Sequence, residues 1–225
     1  MAVAELPAEA RSRIERENGW RQFYRTLDLI RQALASPSTS LLTPAVICEL
    51  NALAVDRLVS PPGAYRTEPC AIDRSAHAPP LPRDLDRLVE ELCLYLEAHV
   101  GDRSPMHLAA YAMWRVNWVH PFEDGNGRTA RAASYLVLCT CIGEVLTGTT
   151  TMMELVAKDK APYWAALEDA DRAWRSRRVD VSMMETFMER CLAEQLATDP
   201  GLPADVRREL LVLASIPVTP PADDE

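Results

Sequence analysis

Apolar residues recur at intervals of three and four along most of this chain, and this spacing is typical of amphipathic α-helices. Residues 20–35 show the pattern clearly, because their large apolar side chains fall on a single stripe. The pair Thr43-Pro44 supplies a second helix signal, a hydroxyl N-cap followed by proline at the first helical position. The sequence predicts helices at about 20–35, 44–59, 83–99, 105–119, 128–142, 158–175, 180–197 and 203–214.

The segment 60–80 interrupts this helical pattern with a cluster of prolines and a glycine. Inside it, the short runs 64–67 and 70–72 suit a pair of strands, so a small hairpin is expected at 63–73. The predicted fold class is all-α, a helical bundle with one small β-hairpin.

Three parts are expected along the chain. Residues 1–42 form an N-terminal helical extension, and residues 43–198 form the core domain. Residues 199–225 form a short helix and a tail rich in proline and aspartate, which is expected to be disordered.

The net charge, the cysteines and the apolar runs limit the kinds of partner and the compartment that suit this chain. The chain of 225 residues carries a formal net charge of −9, which argues against a sequence-independent nucleic-acid binder. Its six cysteines form no CxxC pair, which favours free thiols in a reducing compartment over a zinc site. No apolar run is long enough for a membrane span, and no secretory segment opens the sequence. A cytoplasmic protein is therefore expected.

One short stretch between two predicted helices concentrates polar residues that suit phosphate binding. Gly125, Asn126 and Gly127 directly precede a helix, where glycines allow backbone N–H groups to converge on an anion. Arg128 and Arg131 are three residues apart in the first turn of that helix and share one face. Two guanidinium groups beside such a nest would hold a multiply charged phosphate chain.

The same stretch contains a candidate metal ligand and a candidate base. Asp124 would be repelled by phosphates unless Mg²⁺ bridged them, which is the usual Mg²⁺ arrangement. His120, at the end of the preceding helix, has an ordinary pKa that suits proton abstraction from a hydroxyl. A single histidine before proline, or a single Gly-Asn-Gly turn, would more simply be structural. Their convergence within twelve residues instead indicates a site for phosphate chemistry.

Residues 120–131 read HPFEDGNGRTAR, and this stretch resembles the signature HPFx[D/E]GNGRxxR of the Fic family at every specified position. The runs 62–66 and 77–80 are similar to the family's flap hairpin and the stretch that follows it. The resemblance covers roughly residues 43–197 and is firmest in the signature itself.

The resemblance implies a Fic fold that binds ATP with Mg²⁺ and transfers AMP to a Tyr, Thr or Ser hydroxyl of a target protein. It implies that His120 is the catalytic base, that Asp124 holds the metal, and that Phe122 anchors the loop in the core. The nest at 125–127 would then cradle the α-phosphate. Arg128 and Arg131 would hold the β- and γ-phosphates, and the target would dock at the flap, residues 63–73.

Other functions remain open. A Doc-like protein phosphotransferase would carry Ala and Lys in place of Gly125 and Gly127, so the glycines favour AMP transfer. Transfer from another nucleotide is an alternative, because base recognition lies outside the signature. A catalytically silent peptide-binding module is a third possibility, against which the intact His120, Asp124 and Arg128 count.

Self-inhibition is a further possibility. Many Fic proteins carry an inhibitory helix with the pattern [S/T]xxxE[G/N], whose glutamate pairs with the second arginine of the signature. Here only Glu17-Asn18 matches, with Arg13 in the Ser/Thr position, and a second register would use Glu15. If both glutamates are simply solvated helix charges, the enzyme is constitutively active or is restrained by a separate antitoxin.

Overall fold

The computed structural model describes residues 6–36, 40–73, 75–215 and 218. It divides into two compact units, Met1–Glu144 and Val145–Glu225. In the described part of the first unit the helices are α1 (Ala8–Ala35), α2 (Pro44–Val55), a short 3₁₀ turn (Pro82–Asp84), α3 (Leu85–His99), α4 (Pro105–Val119) and α5 (Asn126–Ile142). In the described part of the second unit the helices are α6 (Met152–Lys158), α7 (Lys160–Arg175), α8 (Ser182–Ala197) and α9 (Ala204–Ala214). The predicted all-α class is confirmed.

Helices α4 and α5 form the centre of the first unit. Their facing surfaces carry small residues, and Ala109, Ala112 and Ala133 are fully buried between larger side chains. The Ser134 hydroxyl donates to the Ala109 carbonyl at 2.8 Å and ties the two helices together. Small side chains let the two backbones approach closely, so the loop that joins α4 to α5 is held at both ends by the core.

Helices α1 and α2 pack against α5 and cover this loop from one side. Buried polar residues on α1 fix its position, because Gln22 Nε2 donates to the Leu50 carbonyl at 2.8 Å. Asn18 Nδ2 likewise donates to the Asp56 carbonyl at 2.7 Å. Helix α1 begins well before the apolar stripe at 20–35 that predicted it, so the N-terminal extension reaches the loop.

In the second unit, α8 lies at the centre and packs against α6, α7 and α9. Buried Gln195 on α8 accepts from Met152 N at 2.6 Å and donates from Nε2 to the Thr147 carbonyl at 3.0 Å. The separate helix α6, which begins with a capping box between Thr151 and Glu154, was not predicted. A helix of seven residues is too short to show a hydrophobic period.

The predicted hairpin at 63–73 does not form, since no strand pairing joins the described residues of this segment. The backbone explains the difference. The Arg66 N–H donates to the Pro121 carbonyl at 2.9 Å, on the loop after α4, instead of to a neighbouring strand. Pro69, in the middle of the segment, has no N–H to donate to a ladder.

Two further expectations are limited by what the structure describes. The predicted disordered tail lies outside the described residues, apart from Ser215 and Val218. The predicted division at residues 42 and 198 stays a prediction. None of the described helices combines the length and the apolar character that crossing a membrane requires.

The loop between α4 and α5 is closed by the side chain of Asn126. Its Oδ1 accepts from Phe122 N at 3.0 Å, and its Nδ2 donates to the Phe122 carbonyl at 2.8 Å. Phe122 itself is buried, as predicted, and its ring lies 5.5 Å from that of Tyr65. One amide therefore satisfies both backbone groups of the residue that anchors the loop in the core.

Replacing Asn126 with alanine should destabilise the protein. The buried N–H and C=O of Phe122 would lose their partners, at a cost of about 1–3 kcal/mol for each group. Urea unfolding followed by circular dichroism would measure the loss. Glu123→Ala is the matched control, because Glu123 is exposed in the same loop and should change stability by less than about 0.5 kcal/mol. Equal effects of the two substitutions would contradict the role given to Asn126.

Candidate active site

His120 caps the C-terminus of α4 in the left-handed conformation, with φ 49° and ψ 56°. A residue with a side chain adopts this conformation at a cost of roughly 1–2 kcal/mol, so surrounding contacts must hold it there. The His120 N–H donates to the Val116 carbonyl at 3.0 Å. Its ring Nδ1 lies 3.3 Å from the Asn117 carbonyl, which can only accept. In the neutral ring Nδ1 therefore carries the proton and Nε2 the lone pair.

The surroundings of His120 favour its neutral form. Burial is the main cause that lowers its pKa below the ordinary value of 6.5, and the charges of Arg66 and His77 act in the same direction. The hydrogen bond to the Asn117 carbonyl and the negative charge of Asp124 oppose this shift. His120 can thus accept a proton at neutral pH, as a general base must.

Gly125 makes the turn into α5 possible. Its φ of 80° lies in the left-handed region, and a Cβ there would stand only 2.6 Å from Val55 Cγ1. Its carbonyl accepts from the backbone N–H and the hydroxyl of Thr129, both at 2.9 Å. The first N–H groups of α5 have no acceptor within the helix and, with the helix dipole, suit an anion.

The two arginines of the stretch lie on the predicted helix face. Arg128 donates from Nη1 to the Ala54 carbonyl at 2.8 Å and from Nη2 to Asp124 Oδ1 at 3.2 Å. Arg131 lies over Gly127, since a Cβ at position 127 would stand 3.5 Å from Arg131 Nη1. The structure therefore brings the predicted acid and both predicted cations to the start of one helix.

Asp124 already has cationic partners on both carboxylate oxygens. Oδ1 accepts from Gly125 N at 2.5 Å and from Arg128, and Oδ2 accepts from Arg11 Nη2 of α1 at 3.0 Å. No cluster of three or more metal-ligating side chains occurs in the part of the chain that the structure describes. A single hard carboxylate that faces a cation does fit Mg²⁺, which commonly takes one or two carboxylates together with substrate phosphates.

Three residues outside the signature also build the site, and sequence reasoning missed them. Buried Asn51 on α2 donates from Nδ2 to the Asp124 carbonyl at 2.9 Å and to the Thr129 hydroxyl at 3.2 Å. Arg66 donates to the His120 carbonyl at 2.8 Å, and Arg11 reaches Asp124. Asn51 left a signal in the sequence as a polar residue on a mostly apolar helix, and Arg66 lies in the run 62–66 that resembles the flap.

The glutamates of α1 have other partners than the predicted one. Glu17 Oε2 accepts from Arg57 Nη2 at 2.6 Å, and Glu15 Oε1 accepts from Arg11 Nε at 3.1 Å. Both are contacts on exposed side chains, which contribute little to stability. Helix α1 instead contacts the loop between α4 and α5 through the ion pair of Arg11 and Asp124.

The region that contains this loop is similar in sequence to known proteins. Residues 41–138 match the model of the Fic/DOC family. A protein adenylyltransferase Fic of Drosophila persimilis is 43% identical over 56 residues, which are 24% of this chain and 11% of that protein. A protein of the same name from Nematostella vectensis is 34% identical over 77 residues, or 34% of this chain and 18% of that protein. The chain thus spans under a fifth of these relatives.

Two solved structures share the fold. A Fic family protein from Desulfovibrio desulfuricans G20 superposes with a TM-score of 0.57 at 18% identity, over 84% of this chain and 62% of that one. A Fic domain containing signaling protein from Bacteroides thetaiotaomicron VPI-5482 gives 0.60 at 20% identity, over 88% and 71%. The segment 41–138, which contains the complete signature at 120–131, therefore matches the Fic/DOC family, and the two solved structures share the fold of this chain.

Proposed function

We propose that this protein is a protein adenylyltransferase, which transfers AMP from ATP to a hydroxyl side chain of a target protein. The observation that carries the proposal is the state of His120. Its ring favours the neutral form with the lone pair on Nε2, and it lies at the start of the loop that leads into the N-terminus of α5. The name that the curated relatives carry, protein adenylyltransferase Fic, supports the same reaction.

The chemical step follows from the positions of these groups. The hydroxyl oxygen of the target attacks the α-phosphorus of ATP, while its proton passes to His120 Nε2. The bond from the α-phosphorus to the bridging oxygen breaks, and pyrophosphate leaves. Because little else is required of the protein, positioning and charge neutralisation lower the barrier.

The remaining residues of the signature hold the nucleotide. The N–H groups at the start of α5 would bind the α-phosphate, and Arg128 and Arg131 the β- and γ-phosphates. Asp124 Oδ2 would hold Mg²⁺, which when bound neutralises the charge between the α- and β-phosphates. The target segment would dock against residues 63–73. A cytoplasmic location and a separate antitoxin stay predictions.

Phosphoryl transfer of the Doc type is the second candidate, and the environment of position 127 counts against it. A Cβ at position 127 would lie in van der Waals contact with Arg131 Nη1, at 3.5 Å, so a side chain there would begin beside that cation. A lysine there would set two cations against each other. The glycine leaves this space for a phosphate.

Labelled ATP distinguishes these reactions. Label on the α-phosphate should appear on protein, whereas label on the γ-phosphate should not, because pyrophosphate is the leaving group. His120→Ala should abolish the transfer and still bind nucleotide, since it leaves the helix N-terminus and the arginines intact. Autoradiography of self-modified protein measures the first effect, and calorimetry the second. Protein that carries only γ-label would favour the Doc-type reaction, and undiminished transfer by His120→Ala would remove its role as base.

The pH dependence of transfer should report the pKa of His120. Because burial lowers that pKa, the neutral imidazole persists to a lower pH than in an ordinary histidine. The acidic limb of kcat/KM should therefore have its midpoint below 6.5. A midpoint at or above the ordinary value, measured by rates of self-modification across pH, would contradict a desolvated base.

Arg11 should compete with the divalent cation at Asp124. Removal of its guanidinium in Arg11→Ala should tighten Mn²⁺ binding in the presence of a non-hydrolysable ATP analogue. An exposed ion pair of this kind is worth up to about 1 kcal/mol, so the gain should be about two- to fivefold. Electron paramagnetic resonance of free Mn²⁺ measures it. Arg13→Ala, an exposed arginine on the same helix, is the control, and equal affinities of the two variants would show that Arg11 does not compete.

A further inference from the structure

Arg66 connects the proposed docking segment to the catalytic base through a set of short hydrogen bonds. The residue is buried, with 5% of its surface exposed. The guanidinium donates from Nε to the His120 carbonyl at 2.8 Å, from Nη1 to the Glu68 carbonyl at 3.0 Å and from Nη2 to the Pro80 carbonyl at 2.5 Å. The Arg66 N–H adds a bond to the Pro121 carbonyl at 2.9 Å. One residue therefore joins both ends of the segment 66–80 to the two residues that start the catalytic loop.

The three acceptors of the guanidinium are backbone carbonyls, which carry no net charge. Such partners accept hydrogen bonds from the guanidinium and leave its positive charge in place close to His120. The groups that bear on the charge of His120 are Arg66 and His77 from the segment 60–80, Asp124 from the loop, and the Asn117 carbonyl from α4. Of these, Arg66 is the one that also holds the His120 backbone.

The His120 backbone needs such a support. Its left-handed conformation is costly for a residue with a side chain, and its carbonyl lies beyond the last turn of α4, where helix hydrogen bonding has ended. The bond from Arg66 Nε satisfies this carbonyl. If Arg66 were removed, the carbonyl would lose a charge-assisted partner, and the ring would lose its fixed direction relative to α5.

We propose that Arg66 is a positioning residue that makes the placement of the base His120 depend on the segment to which the target docks. The proposal rests on the proposed function and deepens it. A target that docks on residues 63–73 stabilises the conformation in which Arg66 holds the His120 carbonyl. The base is then directed at a hydroxyl presented by that segment, in preference to a water molecule.

The test uses the full chain with two substitutions of Arg66 and one control. Arg66→Lys keeps the positive charge and loses the planar fork, whereas Arg66→Gln loses the charge. Arg87→Gln is the control, because Arg87 is an exposed arginine on α3 that pairs with Glu91. Three quantities are measured for each: the pKa of His120 by NMR, the rate of self-modification with α-labelled ATP, and the affinity for a non-hydrolysable ATP analogue. With 4 histidines in the chain, His120→Ala assigns the signal directly.

Arg66→Gln should raise the pKa of His120 and lower the maximal rate of self-modification at least tenfold, with nucleotide affinity unchanged within about twofold. Arg66→Lys should keep the pKa of His120 near that of the wild type and still lower the maximal rate, because an ammonium lacks the planar fork that reaches these three separate carbonyls. Arg87→Gln should change none of these quantities. A residue that only supports the fold would lower thermal stability and leave the pKa of His120 where it is.

The proposal is overturned if both Arg66 variants fold and keep the wild-type rate, or if Arg66→Gln leaves the pKa of His120 unchanged. If Arg66→Gln does not fold, Arg66→Lys decides alone, and a fall in nucleotide affinity equal to the fall in maximal rate would overturn the proposal. Absence of any transfer by the wild type would reject the proposed function instead. The NMR titration would still show whether Arg66 controls the state of His120.

Discussion

The pair of hydrogen bonds between the Asn126 amide and the backbone of Phe122 is the interaction on which the site depends. It closes the loop between α4 and α5, which joins His120 to the N-terminus of α5 within a few residues. Phe122 anchors this loop in the core. Gly125 allows the turn into α5, because a Cβ at this position would collide with Val55 of α2. Since α4 and α5 are packed through small side chains, the loop has rigid supports at both ends.

Charge at this loop is balanced by the protein itself. Asp124 is held by Arg11 and Arg128, and His120 is kept neutral by burial beside the positive charge of Arg66. A nucleotide and its metal would therefore replace protein groups that already carry charges of the same sign. Such preorganised electrostatics are the usual basis of catalysis where the chemical step requires mainly positioning.

Much of the fold followed from hydrophobic period and capping signals. The hydroxyl–proline starts at Thr43 and Ser104 both open helices as predicted, with each hydroxyl accepting from a backbone N–H of the first turn. The prediction of a hairpin at 63–73 was wrong, because short extended runs bounded by prolines suit a strand and an irregular loop equally well. The segment is held by the buried Arg66, two of whose acceptors, the carbonyls of His120 and Pro80, belong to residues more distant in sequence.

The sequence by itself determined the helical class and the grouping of the signature residues, because His120, Asp124, Gly125 and Arg128 are neighbours along the chain. Residues this close, on one loop and one helical turn, must also be close in space. Only the tertiary structure decided which other residues complete the site. Arg11, Asn51 and Arg66 come from α1, α2 and the segment after α2, and each contacts the loop across more than fifty residues of chain. Such contacts depend on how the helices pack, and no local spacing records them.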